Sequence, residues 1–178
     1  LDAGAVFEYH SDGLTRQYTQ RSLPGVAAEQ GDRFGWALAV GDFDRNGRAD
    51  LAIGTPNEDT TAGSDAGIVT VLSSYGTGVL DTQSAKTWSQ ASTGVPGAAE
   101  AGDRFGAALA ACNLGNSLAA DLAIGVPLED FTAGGLTRSN AGVVDVLYGS
   151  TSGLTTTGVQ DWSQATTSML GGFETNDQ

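Results

Sequence analysis

Two long segments of the sequence recur at a fixed distance along the chain, and this repeat limits the possible folds more than any single residue. DRFGWALAV at 32–40 returns as DRFGAALAA at 103–111. ADLAIGTPNED at 49–59 returns as ADLAIGVPLED at 120–130, and both pairs are 71 residues apart. A sequence that repeats with a period of this kind is expected to build one structural unit per repeat.

A third recurring segment extends the repeat to the beginning of the chain. DAGAVFEY at 2–9 matches DAGIVTVL at 65–72 and NAGVVDVL at 140–147. The matches divide the sequence into the C-terminal half of a first unit at 1–31, a complete unit at 32–102 and a second complete unit at 103–178.

Each complete unit is predicted to form four short strands. Apolar residues alternate with smaller ones over 34–40, which is the period of a strand whose two faces differ. Runs rich in branched residues at 51–53 and 68–72 predict two further strands, and a fourth passes through Trp88. Such a unit cannot bury both faces alone, so units must stack, and radial stacking produces a β-propeller. A β-solenoid, usually built from shorter and more regular coils, is the alternative.

The composition limits the partners. Acidic residues outnumber basic ones by 21 to 8, and the formal net charge is −13. This charge gives no support for binding to nucleic acid or to an anionic membrane surface, and it favours cations. No apolar run approaches the roughly 20 residues of a membrane-spanning helix, so we expect no membrane insertion. The single cysteine, Cys112, excludes an internal disulfide and is predicted to be a small buried residue.

The loop DFDRNGRAD after the first strand of the 32–102 unit has the pattern of a calcium site. Side-chain oxygens occur at every second position, and Gly47 permits a sharp turn that lets them converge. Calcium prefers such an all-oxygen shell, and a cation would remove the repulsion between the carboxylates. The predicted ligands are Asp42, Asp44, Asn46, the Arg48 carbonyl and Asp50.

Two other interpretations of this loop follow from its residue types. An EF-hand requires a glutamate at loop position twelve, which is Ile53 here, and flanking helices. A solvated turn without metal is the simpler alternative, since Asp, Asn and Gly favour turns. In the second copy only Asp121 keeps its carboxylate, so we predict a hairpin without metal. The other equivalent positions there hold Asn113, Gly115 and Ser117, with Leu118 in place of the turn glycine.

These features together resemble a known family. Phe34-Gly35, the acidic loop and AIGTP at 52–56, with Phe105-Gly106 and AIGVP at 123–127, resemble the FG-GAP repeats of the integrin α-subunit propeller and of related secreted proteins. The resemblance covers nearly the whole chain. It implies an all-β fold of four-stranded antiparallel blades, about two and a half blades of a seven-bladed propeller. It also implies calcium in certain hairpin loops and a secreted or cell-surface location.

Two functions are compatible with this resemblance. The first is a calcium-binding module for extracellular ligand recognition or adhesion, with a protein or glycan partner and calcium in a structural role. The alternative is a non-catalytic propeller segment attached to a secreted, phospholipase-like hydrolase. The sequence contains no recognisable nucleophile motif, so we do not expect an enzyme. The chain opens at a third strand and stops before the next Phe-Gly, so we expect further blades or other chains to complete the ring.

Several repeated side chains have predicted roles. Phe34 and Phe105 are expected in the core between blades. The aromatic residues Tyr18, Trp88 and Trp162 are expected to pack against the next blade, with contact of an exposed ring with a sugar or a protein as the alternative. Variable loops on a repeated scaffold are common sites of recognition. The resemblance makes four acidic loop residues candidates for a ligand-binding face, with a solvated acidic loop as the alternative: Glu58, Asp59, Glu129 and Asp130.

Overall fold

The structure, a computed structural model, describes residues 3–76, 78–115, 117–133 and 135–166, and within these ranges the chain is all-β. A short 3-10 helix at Gln20–Ser22 follows the first two strands, and the described residues form no α-helix. The strands are β1 Val6–Tyr9, β2 Thr15–Tyr18, β3 Ala37–Gly41, β4 Asp50–Thr55, β5 Ile68–Leu72, β6 Ser74–Tyr75, β7 Val79–Leu80, β8 Lys86–Trp88, β9 Ala108–Cys112, β10 Asp121–Val126, β11 Phe131–Ala133, β12 Leu136–Arg138, β13 Val143–Ser150 and β14 Gly153–Trp162.

The main strands form two four-stranded sheets and one two-stranded sheet. Their orders are β3-β4-β5-β8, β9-β10-β13-β14 and β1-β2, and every pairing is antiparallel. Two small hairpins, β6-β7 and β11-β12, extend from the two larger sheets. The sheets confirm the predicted class of four-stranded antiparallel blades. Each sheet takes its strands from one predicted segment, 1–31, 32–102 or 103–178, whose boundaries stay predictions.

The second strand of each complete unit is largely buried. All six residues of β4 are buried, and β10 has the same sequence character. A continuous apolar run is expected where a strand is covered on both faces. Gly54 shows how closely the sheets approach, because a Cβ atom there would collide with the carbonyl oxygen of Gly106 in the next unit.

Two apolar clusters hold the three sheets against one another. Phe34 belongs to the cluster between the first hairpin and the second sheet, and Phe105 to the cluster between the second and third sheets. Both rings are almost fully buried, which confirms their predicted place in the core. Burial of one aromatic side chain of this size contributes about 2–3 kcal/mol through removal of apolar surface from water.

Each Phe-Gly pair attaches its unit to the preceding one by main-chain contacts. The Phe34 N–H donates to the Ala3 carbonyl over 2.8 Å, and the Phe105 N–H donates to the Ala66 carbonyl over 3.0 Å. The glycine that follows each alanine is required, because a Cβ at Gly67 would collide with the Phe105 carbonyl. The recurring Ala-Gly and Phe-Gly pairs are therefore the two halves of one joint between units.

Two sequence expectations need correction. The first strand of the 32–102 unit begins at Ala37, because Phe34 to Trp36 form a turn that follows the left-handed Arg33 (φ 63°). Tyr18 is buried and Trp88 packs on the core, as expected. Trp162 is exposed on the third sheet, and its contact with a next blade stays a prediction. Cys112 is exposed, because it lies on the face of β9 that alternates away from the core.

Candidate metal centre

The loop between β3 and β4 brings three of the predicted ligands together. Arg45 and Gly47 have left-handed backbone conformations (φ 59° and 82°), which curl the loop back on itself. As a result, Asp42, Asp44 and Asp50 each place a carboxylate oxygen within 4.8 Å of the others. The alternating spacing predicted this convergence, and the strands on either side fix the two ends of the loop.

The other two predicted ligands lie in the same loop. The Asn46 N–H donates to the Oδ1 atoms of Asp42 (2.9 Å) and Asp44 (3.1 Å), and its amide Nδ2 donates to Asp44 Oδ2 over 2.9 Å. The Asn46 Oδ1 accepts a hydrogen bond of 2.9 Å from the Arg48 N–H. Asn46 is therefore hydrogen-bonded to two of the three carboxylates, and Asn46 and Arg48 are both exposed.

The donor set suits a hard divalent cation. Asp50 is buried, and burial raises its pKa, against the effect of two main-chain hydrogen bonds from Ser74 and Phe43. The charges of Asp44 and Asp42 raise that pKa further. A divalent cation would neutralise this mutual repulsion, and carboxylate and carbonyl oxygens are the ligands that calcium prefers.

Asp50 also has a role that the sequence reasoning did not predict. Its Oδ2 accepts the Phe43 N–H and its Oδ1 accepts the Ser74 N–H, each over 2.9 Å. One carboxylate thus ties the start of the hairpin loop to the chain that leaves β5. The bonds satisfy two buried main-chain donors, which would otherwise destabilise the fold.

The second hairpin keeps this role without the cluster. Asp121 Oδ2 accepts the N–H groups of Leu114 and Gly115, each over 2.7 Å, and Oδ1 accepts the Gly149 N–H over 2.8 Å. In the described ranges of the chain, Asp42, Asp44 and Asp50 form the only group of three His, Cys, Asp or Glu residues with metal-site spacing. The sequence did contain a sign of this structural role, because the second copy keeps the aspartate at the position of Asp50 although its other acidic positions are lost.

Glu58 and Glu129 do not lie on an exposed face, so the prediction that they contact a ligand or solvent is wrong. Glu58 is 7% and Glu129 is 3% exposed. Gln20 Nε2 donates to Glu58 over 2.5 Å, and Gln90 Nε2 donates to Glu129 over 2.6 Å. Each pair joins the end of one unit to the loop after the second strand of the next. Burial raises the pKa of both glutamates to about 7.

Asp59 and Asp130 close their own loops. Asp59 Oδ1 accepts the Asp65 N–H and Asp130 Oδ1 accepts the Asn140 N–H, each over 2.9 Å. Both donors have left-handed backbones (φ 53° and 52°), which Asp and Asn adopt more readily than most residues. Asp59 is exposed and Asp130 is half-buried. The matching hydrogen bonds give both aspartates a role within the loop.

Asp145 is a buried carboxyl that the sequence reasoning missed. It lies on β13 at the position that Thr70 holds on β5, and its side chain is fully buried. Neither carboxylate oxygen has a hydrogen-bond partner among the described residues. Burial, followed by the charge of Asp161 on the paired strand, raises the pKa of Asp145 to about 7. The group is therefore held largely protonated below neutral pH.

Comparison with known proteins supports the resemblance found in the sequence. The family model of the FG-GAP repeat matches residues 34–72, a stretch that contains β3, β4, β5 and the acidic hairpin. No curated protein gives a significant match to the chain. FG-GAP repeats are typical of extracellular or surface proteins. Among the described residues, no helix is long and apolar enough to cross a membrane.

Proposed function

We propose that this chain, which carries an FG-GAP repeat at 34–72, is a calcium-binding propeller module for extracellular ligand recognition or adhesion. The observation that carries the proposal is the convergence of Asp42, Asp44 and Asp50 in the β3–β4 loop. The proposed partner is a protein or a glycan, and the proposed location is secreted or at the cell surface. The proposed role is binding without catalysis.

The proposed ion would be held by five oxygen donors from one loop. Asp42, Asp44 and Asp50 supply carboxylates, Asn46 a side-chain carbonyl and Arg48 a main-chain carbonyl. Asp42 and Asp44 are only half-buried, so an ion can reach the loop from solvent. Calcium accepts irregular shells of six to eight oxygens, and water molecules can complete a shell of five protein donors.

Calcium is proposed to be structural because the loop also contacts the next unit. The Ala120 N–H donates to the Asp42 carbonyl over 2.8 Å, and the Ser150 N–H donates to the Phe43 carbonyl over 3.2 Å. The Phe43 ring is buried in the cluster between the second and third sheets. An ion that fixes this loop would therefore also stabilise the contact between two units.

Calorimetric titration of the chain with calcium in chelator-treated buffer tests the proposal. We expect a stoichiometry near one and a Kd of about 10⁻⁴ to 10⁻³ M, the range of extracellular modules. Asp44→Asn keeps an oxygen acceptor for the Asn46 N–H but removes one charge, so binding should weaken by about tenfold or more. Asp12→Asn, which removes a charge from an exposed turn, is the matched control and should bind as the parent chain does.

The structural role has a separate readout. Calcium binds the folded state, so saturating calcium should raise the midpoint of thermal unfolding by mass action, and Asp44→Asn should reduce this increase. Absence of calcium binding by the parent chain would refute the site. Calcium that leaves stability unchanged but activates ester or phosphodiester hydrolysis would refute the structural role.

A further inference from the structure

An apolar groove lies on the outer face of the third sheet, on the side away from the second sheet. Its volume is about 490 Å³. The residues that line it include Gly125 on β10, Ala141 and Gly142 before β13, Val144 on β13 and Trp162 on β14. Trp162 and Val144 are the large apolar side chains that it leaves exposed, at 42% and 41%.

The corresponding surface is covered in both earlier units. The repeat places Ala141-Gly142 at the position of Ala3-Gly4 and Ala66-Gly67. In those two copies, the alanine carbonyl accepts the N–H of Phe34 or Phe105 from the following unit. The occupant in each case is the Phe-Gly segment that opens the following unit.

The valine of the third strand shows the same difference. Val6, Val69 and Val144 are equivalent, but Val6 is 6% and Val69 is 0% exposed. In the covered copies the valine packs against the glycine of the Phe-Gly pair. A Cβ added at Gly35 would lie 2.7 Å from Val6 Cγ2, and one added at Gly106 would lie 2.8 Å from Val69 Cγ2.

The glycine on the second strand is covered in the second unit and, within the described residues, uncovered in the third. Gly54 on β4 approaches the Gly106 carbonyl of the next unit so closely that a Cβ atom would collide with it. The equivalent Gly125 on β10 has only Ala108 of its own unit as a close neighbour among the described residues. The groove therefore has the same Ala-Gly pair and valine as the two covered surfaces, and no Phe-Gly segment among residues 3–76, 78–115, 117–133 and 135–166 covers it.

We propose that this groove is a docking site for a Phe-Gly segment of a further FG-GAP unit. The phenylalanine N–H of that segment donates to the Ala141 carbonyl, and its glycine packs against Val144 and Gly125. Trp162 covers the edge of the groove, as Trp88 does one unit earlier. The site uses no metal ligand, so it does not depend on the proposed calcium binding.

A peptide titration tests the proposal directly. The probe is a peptide with the sequence of residues 102–111, GDRFGAALAA, which docks on the second sheet within this chain. It is titrated into the isotope-labelled chain and followed by NMR. We expect shifts at Gly142 and Val144 and at the indole N–H of Trp162. A peptide with Phe105→Ala should bind at least about tenfold more weakly, because it lacks the buried ring.

Two variants of the chain make the test specific. Val144→Glu places a charge in the groove at an exposed position and should weaken peptide binding by about tenfold or more. Asp44→Asn removes a charge from the metal loop, whose hydrogen bonds to the third sheet use main-chain atoms of Asp42 and Phe43. It should bind the peptide as the parent chain does, which separates this site from the calcium site.

Other occupants of the groove are also outcomes of the experiment. Equal shifts with the two peptides, shifts outside the groove, or no effect of Val144→Glu would overturn the proposal. Self-association of the chain that Val144→Glu abolishes, with no peptide binding, would show that a second copy occupies the groove and would also overturn it.

Discussion

The link between Gln90 and Glu129 makes a quantitative prediction about pH. Glu129 is 3% exposed, accepts a hydrogen bond from Gln90 and lies near the carboxyls of Asp103 and Asp145. Burial raises its pKa from the usual 4.5 to about 7. Between these two values the folded state holds a proton that the unfolded state has released. The free energy of unfolding therefore falls as the pH rises through this window.

The size of the effect follows from how far burial raises the pKa of Glu129. A tenfold change in a protonation equilibrium corresponds to about 1.4 kcal/mol, so the rise from 4.5 to about 7 is worth about 3 kcal/mol. Part of this stabilisation is already lost at about pH 5, because that pH lies above the usual pKa of 4.5. Water that reaches the deprotonated carboxylate lowers the cost of burying its charge and so reduces the remaining effect. We expect Glu129 to lower the free energy of unfolding by about 1 to 2.5 kcal/mol between about pH 5 and pH 8.

Glu129→Gln removes the titration and keeps a hydrogen-bonding side chain. The oxygen of its amide can accept the hydrogen bond that Gln90 Nε2 donates to the carboxylate in the parent chain. The free energy of unfolding of the variant and of the parent chain is measured with urea at about pH 5 and about pH 8. From the lower to the higher pH, the variant should become more stable relative to the parent chain by about 1 to 2.5 kcal/mol.

Glu100→Gln changes an exposed side chain nearby and should show no such gain, so it serves as the control. Equal differences between Glu129→Gln and the parent chain at both pH values would refute the reasoning. A relative gain at the lower pH would refute it as well.

Two other substitutions test buried carboxyls with opposite expected results. Asp145→Thr installs the residue of the equivalent position and removes a carboxyl whose pKa is about 7. It should raise the free energy of unfolding by about 1–3 kcal/mol near pH 8, measured in urea, and a loss of stability would contradict the account. Asp121→Asn disturbs three main-chain hydrogen bonds and should lower the free energy of unfolding by about 1–3 kcal/mol. That loss should be the same with calcium and with chelator, and a calcium-dependent loss would contradict the assigned role.

The repeat was sufficient to predict the fold class. The strand patterns and the recurring Phe-Gly pairs are local in sequence, and each copy supports the interpretation of the other. The convergence of Asp42, Asp44 and Asp50 was predictable for the same reason, since one short loop between two strands contains all three. Turn chemistry and alternation decide such a geometry without long-range information.

The polar contacts between units, unlike the burial of Phe34 and Phe105, could not be predicted from the sequence. Gln20 and Glu58 are 38 residues apart, and no local pattern indicates that they meet. Acidic residues in a loop after a Gly-x-Pro motif are expected to be solvated. They are buried here because the preceding unit covers them, which the local sequence does not indicate. The same limit applies to Trp36 and Val40, which alternate like core residues but are mostly exposed.

The persistence of Asp50 and Asp121 has a consequence for how arrays of such units diverge after duplication. The aspartate at the start of the second strand holds each hairpin by main-chain hydrogen bonds, whether or not the loop keeps its other acidic residues. Mutations at the positions of Asp42, Asp44 and Asn46 can therefore accumulate in one copy without unfolding it. A duplicated unit can therefore lose or regain its cluster of acidic side chains independently of its neighbours, so one array can contain both kinds of hairpin side by side.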